Sequence, residues 1–316
     1  KNGNASSQNI SLILILCLLL GACKNGNASS QNKSETSQDT IKAIKMPAIP
    51  QMMTAPEQRA DFLAKHYWDN VNFADTNYIH HPEVTEQAWA DYCDLLNHVP
   101  LETAQQAMRN VIDRTNVDKK VFTYITDLAD KYLYDPNSPM RNEEFYIPVL
   151  EAMIASPVLN ETEKIRPQAR LKLAQKNRIG TKALNFTYTL ASGAQGSLYQ
   201  LKAEYLLLFI NNPGCQACTE TIEGLKNAPI INQLLQEKKL VLLSIYPDEE
   251  LDEWKKHLSE FPNEWINGYD KKFTIKEEQV YDLKAIPTLY LLDKDKTVLL
   301  KDATAPAIEA YLMQHQ

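Results

Sequence analysis

The stretch Tyr205-Leu206-Leu207-Leu208-Phe209-Ile210-Asn211-Asn212-Pro213-Gly214-Cys215-Gln216-Ala217-Cys218 decides how the second half of this chain is read. Its first six residues form an apolar run, and Leu240 to Tyr246 is nearly the same. Strands of that kind are covered on both faces and lie at the centre of a sheet. The Asn-Asn-Pro-Gly segment is a turn signal, after which the cysteine pair leads into a helix of roughly Thr219 to Lys226. Leu289 to Leu292 reads as a third strand, preceded by Ala285-Ile286-Pro287-Thr288. Asp293-Lys294-Asp295-Lys296 then turns the chain into Val298-Leu299-Leu300, and an amphipathic helix from Pro306 to Met313 follows. Strands alternating with helices from Phe186 onward predict an α/β layer fold, with parallel strands in a central mixed sheet flanked by helices.

The preceding half is built differently. Of the nine glycines, three lie in the first 26 residues, none between 27 and 179, and six from 180 onward. Between Pro56 and Asn177 the apolar residues recur at helical spacing. Phe62, Leu63, His66 and Tyr67 share one face, as do Trp89, Tyr92, Cys93 and Leu96, and then Ala104, Met108 and Val111. A fourth segment runs through Phe122, Ile125, Leu128, Ala129 and Tyr132 to the proline-marked loop at Asp135-Pro136-Asn137-Ser138-Pro139. Asn142 is a candidate N-cap for a fifth helix, with Glu143 and Glu144 in its first turn, where negative charge suits the helix dipole. A sixth carries Leu171, Leu173 and Ala174 and ends at Gly180. Six helices with short connections predict an all-α domain. The adjacent His80 and His81 lack the three- or four-residue spacing of a helical metal pair. His66 sits on an apolar face and reads as a satisfied, half-buried residue, and Cys93, on another apolar stripe, reads as a small buried hydrophobe.

Composition sets the outer limits. In 316 residues, 44% are hydrophobic and 23% charged, which is the balance of a globular chain. With 33 basic and 40 acidic residues the net charge is -7, so an electrostatic hold on nucleic acid is not expected. Ile10 to Leu20 is an apolar run too short to span a bilayer as a mature helix but suited to the core of a signal peptide. It ends in Leu20-Gly21-Ala22-Cys23, which resembles the lipobox of bacterial lipoproteins. That resemblance implies a leader and lipobox over residues 1–23, a lipid on Cys23 holding the protein to a membrane, and a place in the cell envelope facing the periplasm. Residues 1–9 recur identically as 24–32, a polar repeat with no apolar face to stack. The Ser-, Asn-, Gln- and Lys-rich stretch 24–54 reads as a flexible tether with a reach on the order of 30 Å. The division expected is therefore leader 1–23, tether 24–54, helical domain 55–179 and α/β domain 180–316.

A Cys-x-x-Cys directly after a central strand and opening a helix, with Ile-Pro-Thr ahead of a later strand, resembles the thioredoxin fold over about residues 180–316. The details are similar to the TlpA-like branch of envelope thiol-disulfide oxidoreductases. The helical half, together with Trp265-Ile266-Asn267-Gly268-Tyr269, resembles the N-terminal domain called DUF5106 that precedes thioredoxin-like domains in some bacterial lipoproteins. The resemblance implies that Pro287 is cis and that the backbone of Ile286 faces Cys215 and can pair with an extended substrate segment. A cis X-Pro bond is a small minority of such bonds. Two departures stand out. Gly214 occupies the place where a Trp is usual, beside the substrate, and the strand Tyr205 to Ile210 has no buried acid to serve the second thiol.

The chemistry of the pair follows from its position. A thiolate, not a thiol, attacks a disulfide, and a helix N-terminus stabilises negative charge. Cys215 is thus expected to be the exposed attacking sulfur and Cys218, one turn further in, the resolving thiol. Exchange with protein thiols and disulfides then needs no metal or other cofactor, because the two sulfurs carry the electrons. A zinc site wants about four ligands, and only His257 lies between the pair and Pro287. Haem attachment needs His after the second cysteine, where Thr219 stands. A structural disulfide in a non-catalytic binding module remains the competing reading, since cysteines persist oxidised in the envelope.

Overall fold

The structure is a computed structural model and describes residues 43–315. The leader, Cys23 and the tether up to residue 42 lie outside the described residues. Residues 43–54, at the end of the expected tether, are described and lie against the helical half. Ile44 packs on its core, and the Asn70 side-chain amide donates to the Lys45 carbonyl at 2.9 Å.

Six α-helices build the first half: α1 Pro56–His66, α2 Pro82–Leu96, α3 Leu101–Arg114, α4 Lys119–Ala129, α5 Glu143–Ala155 and α6 Glu161–Ala174. The spacings read from sequence account for their buried faces. Trp89, Tyr92, Cys93 and Leu96 of α2 pack with Met108 and Val111 of α3 and with Phe122 and Ile125 of α4 in one core. Helix α4 gives way at its end to a wider turn, Asp130–Tyr134, before the expected loop. Asn142 caps α5, its side-chain oxygen accepting from Phe145 N at 3.2 Å. Asn160 and Glu163 cap α6 reciprocally. Among the described residues no helix is long and apolar enough to cross a membrane.

A seven-stranded sheet organises the second half. Its strands are β1 Thr187–Leu190, β2 Gln195–Ser197, β3 Tyr205–Ile210, β4 Leu240–Tyr246, β5 Ile266–Tyr269, β6 Thr288–Asp293 and β7 Val298–Lys301, in the spatial order β2-β1-β5-β4-β3-β6-β7. The sheet is mixed: β4 runs parallel to β3 and β5, whereas β6 is antiparallel to β3 and β7, and β1 to β2 and β5. Helices α7 Gln216–Lys226, α8 Pro229–Gln236, α9 Leu251–His257, α10 Thr274–Glu277 and α11 Ala305–Gln314 complete it. Period-two alternation sends Leu207 and Phe209 of β3 to a core with Ile222, Leu225, Ile231 and Ile308 from α7, α8 and α11. Leu206, Leu208 and Ile210 go to the opposite core with Phe186, Tyr188, Ile275 and Tyr281. Both faces of β3 are thus covered, which is why its sequence is unbroken by polar residues.

Trp265 to Tyr269, read with the helical half on grounds of resemblance, belongs structurally to the sheet as β5 and its approach. Gly268 allows it: a Cβ there would stand 3.0 Å from the Tyr188 ring on β1.

Candidate functional site

Helix α7 starts at Gln216, three residues earlier than the sequence pattern placed it, because Cys215 is itself the N-cap. Its backbone is extended (φ -77°, ψ 118°), and its Sγ accepts a hydrogen bond from Cys218 N at 3.3 Å. Its carbonyl accepts the first helical bond, from Thr219 N at 3.0 Å. The sulfur therefore sits at the end of the helix where N–H groups are unpaired and the dipole is positive. Gly214 reaches it through a left-handed backbone (φ +73°), with nothing within 4 Å of where a Cβ would be. The glycine therefore serves the turn and leaves open space beside Cys215.

The two sulfurs differ in access. Cys215 is half-buried, whereas Cys218 is only 2% exposed. Burial, reinforced by the bond with Cys215, pushes the Cys218 thiol up to about 12, against a smaller opposing effect of an Asn212 backbone bond. Cys218 is accordingly a protonated thiol at neutral pH. Cys93 is buried in the helical core and its thiol is also raised by desolvation. All three are free thiols in this structure.

The peptide bond between Ile286 and Pro287 is cis. The Ile286 carbonyl oxygen lies 3.7 Å from Cys215 Sγ, and both Ile286 and Pro287 are half-buried. Gly214, Cys215, Cys218, Ile286 and Pro287 thus meet at one end of the sheet, beyond the C-terminus of β3 and at the start of β6. No acid faces inward from β3, and the polar group at its end is Asn211, whose amide donates to Ser244 Oγ at 2.8 Å. Glu220 lies exposed on α7 and accepts from Gln216.

Two features had no signal in the sequence. Beside Asn212 and Pro213 a polar depression of about 390 Å³ is lined by Tyr246, Asp248, Glu249, Glu250, Glu253 and Lys276. Asp248 accepts from Asn212 at 2.7 Å and pairs with Lys276 at 2.7 Å; burial opposes its charge, but these two partners hold its carboxyl below the ordinary range. The second is a buried cluster on Lys284, three residues before Pro287. Its ammonium contacts Glu143 at 3.0 Å, Asp282 at 3.1 Å and Asp302 at 3.2 Å.

Comparison with known proteins gives two family matches. Residues 22–177 match the family described as a domain of unknown function, DUF5106, and residues 203–298 match the family described as thioredoxin-like. The first match does not include Trp265 to Tyr269. No curated protein matches. The crystal structure of a thioredoxin-like protein from Bacteroides caccae is 84% identical, with a TM-score of 0.85, and covers 88% of this chain and 100% of that one. The C-terminal domain of an uncharacterized protein from Bacteroides fragilis is 69% identical, with a TM-score of 0.43, over 43% of this chain and 98% of that one. The thioredoxin domain of a thiol-disulfide oxidoreductase from Bacteroides vulgatus is 20% identical, with a TM-score of 0.40, over 44% of this chain and 97% of that one. By its identity to the first of these along that protein's whole length, and by the two family matches, the chain belongs to the thioredoxin-like proteins and carries a DUF5106 domain ahead of its thioredoxin-like domain.

Proposed function

We propose that this protein is a cell-envelope thiol-disulfide oxidoreductase that reduces disulfides of partner proteins through Cys215 and Cys218. The observation that carries the reading is the place of Cys215: a half-buried sulfur capping α7, bonded by Cys218 N–H and facing the Ile286 carbonyl.

In the proposed cycle the Cys215 thiolate attacks one sulfur of a substrate disulfide. A Cys215–substrate disulfide forms, the substrate S–S bond breaks, and the departing sulfur leaves as a thiolate that takes a proton from water. Cys218 then loses its proton and attacks Cys215, releasing the second substrate thiol. The substrate gains two electrons and the protein is left with a Cys215–Cys218 disulfide, to be reduced by an upstream dithiol. The high pKa of Cys218 keeps it from competing as the first attacker, and it becomes a nucleophile only when a base or the departing thiolate accepts its proton. The backbone of Ile286 offers an edge on which an extended substrate segment can lie while Cys215 reacts. The reducing direction is an inference by analogy with the branch the sequence resembles.

The envelope assignment rests on Leu20-Gly21-Ala22-Cys23 and the apolar run before it, with a lipid on Cys23 as the membrane attachment. Expression of Cys218→Ser in the native cell, followed by non-reducing separation, tests the reading. Recovery of partner proteins disulfide-linked to Cys215 would support it. A folded variant that traps nothing, with a Cys215 that alkylates no faster than an ordinary thiol, would leave a non-catalytic binding module.

A further inference from the structure

The segment 279–287, between α10 and β6, forms neither helix nor strand, yet it presents Ile286 and Pro287 to Cys215. Tyr281 anchors it in the core of the α/β half, packed on Phe186 and Tyr290, and a second set of holds comes from the helical half. Lys176, just past the end of α6, donates from Nζ to the Glu278 carbonyl at 3.2 Å and to the Gln279 carbonyl at 2.6 Å. The next residue, Asn177, is 3% exposed and takes a left-handed backbone (φ +50°). Its amide donates to the Val280 carbonyl at 2.7 Å while its oxygen accepts from Leu184 N at 2.7 Å.

Further along the same segment, Lys284, with a side chain 8% exposed, pairs with Glu143 in the first turn of α5. Glu143 is pinned in turn by Lys301 of β7. Lys301 also donates to the Lys176 carbonyl at 2.8 Å, which closes the circuit between α5, the end of α6 and the sheet edge. Two backbone carbonyls and one buried ammonium of the segment, with the Glu278 carbonyl just before it, are thus gripped from outside the sheet.

We propose that the helical half serves as a clamp on the cis-proline segment, with Glu143, Lys176 and Asn177 as positioning residues that set how Ile286 and Pro287 stand against Cys215. None of the three touches the reacting sulfurs. Their effect passes through the segment, whose other anchors are Tyr281, bonded to the Leu184 carbonyl, and the Lys284–Asp302 pair. The catalytic part of the inference rests on the oxidoreductase reading above; the mechanical part does not. A loosened segment costs substrate binding, because an edge that must be ordered on docking binds more weakly. It leaves the intrinsic reactivity of Cys215, set by α7, as it was.

The test uses the full chain with two variants that act at different points: Glu143→Gln, at a buried position, and Lys176→Ala, whose bonds to the segment lie at the surface. Lys119→Ala, which breaks the exposed pair with Glu163 elsewhere in the helical half, is the control. Hydrogen–deuterium exchange of peptides spanning 279–287 should speed up on the order of tenfold in both test variants, with β3 and β4 unchanged. KM for a disulfide-bonded peptide should rise several-fold, up to about tenfold, with kcat within about twofold. The rate of Cys215 alkylation by iodoacetamide should not change. Exchange that stays at the wild-type rate in Lys176→Ala would overturn the clamp. So would faster exchange with a KM no different from that of Lys119→Ala. A wild-type protein that reduces no disulfide removes the proposed function instead, and the exchange measurement alone then accepts or rejects the clamp.

Discussion

Cys218 N–H points at Cys215 Sγ across 3.3 Å, so the first turn of α7 bonds the sulfur that starts it. The residue that supplies this N–H carries the second thiol, which the same turn draws inward to 2% exposure. One short helical turn therefore separates an accessible sulfur with a donor from a buried sulfur whose proton is hard to remove.

Alkylation should follow that split. Iodoacetamide at pH 7 is expected to label Cys215 in the folded, reduced protein while Cys93 and Cys218 stay unmodified until denaturant is added. Peptide mapping by mass spectrometry distinguishes the three. Labelling of Cys218 at a rate near that of Cys215 would contradict the burial on which the order of attack depends.

Gly214 is needed for its backbone angle and not for space. Gly214→Ala should therefore fold with no clash and lose about 1–2 kcal/mol from holding an L-residue in the left-handed region. Urea unfolding measures this. A neutral substitution would mean that the turn can relax away from φ +73°.

Lys284 stands among Glu143, Asp282 and Asp302, and Lys284→Met leaves those carboxylates with too little countercharge. Removing one partner from such a buried group costs about 3–5 kcal/mol. Burial disfavours the ammonium, but the charges of Asp302, Glu143 and Asp282 outweigh it and raise its pKa. A raised amine contributes stability that is complete below the unfolded value of about 10.4 and is lost as pH rises through the higher folded value. The stability gap between wild type and Lys284→Met should thus be flat from about pH 6 to 9 and close only above about pH 11. Denaturant titrations at three pH values test it, and a gap that closes before pH 9 would contradict the assignment.

Asp248 behaves with the opposite sign. Its carboxyl is held low, so its contribution is present above the unfolded value of about 3.9 and is lost as pH falls through the lower folded one. Asp248→Asn should be less stable than wild type at pH 7 and indistinguishable from it near pH 2, by thermal unfolding across that range. An equal deficit at both ends would mean that packing around Asn212, not charge, is what the carboxylate supplies.

The legibility of the sequence varied with how local the cause was. The bounds of β3 and β4 coincide with their largely apolar runs, because a strand buried on both faces favours apolar residues at every position; Ser244 of β4 is buried with a partner in Asn211. Strands β1, β2 and β5 gave weaker patterns: they are only three or four residues long, and Tyr188 of β1 lies over Gly196 of β2 and Gly268 of β5, which carry no hydrophobic mark. The sequence pattern puts the start of α7 late because cysteine is not an ordinary capping residue, and Cys215 acts as one only in the folded chain. At the site, Cys215, Cys218, Ile286 and Pro287 were all nameable from their motifs. Lys284, Lys176 and Glu143 were not, since charged residues in a sequence are read as solvated by default.

Local order, then, was written in the chain: helical spacing up to Ala174, strand-like runs after Phe186, and a cysteine pair at a strand-to-helix junction. These features depend on residues within a few positions of one another, where backbone geometry and burial of one face decide the outcome. Tertiary structure alone decided that Lys284 meets Glu143 across 141 residues of sequence, and that Lys176 and Asn177 donate to the Gln279 and Val280 carbonyls. A buried charge must find its partner wherever the fold brings one, and no periodicity in either segment records that meeting.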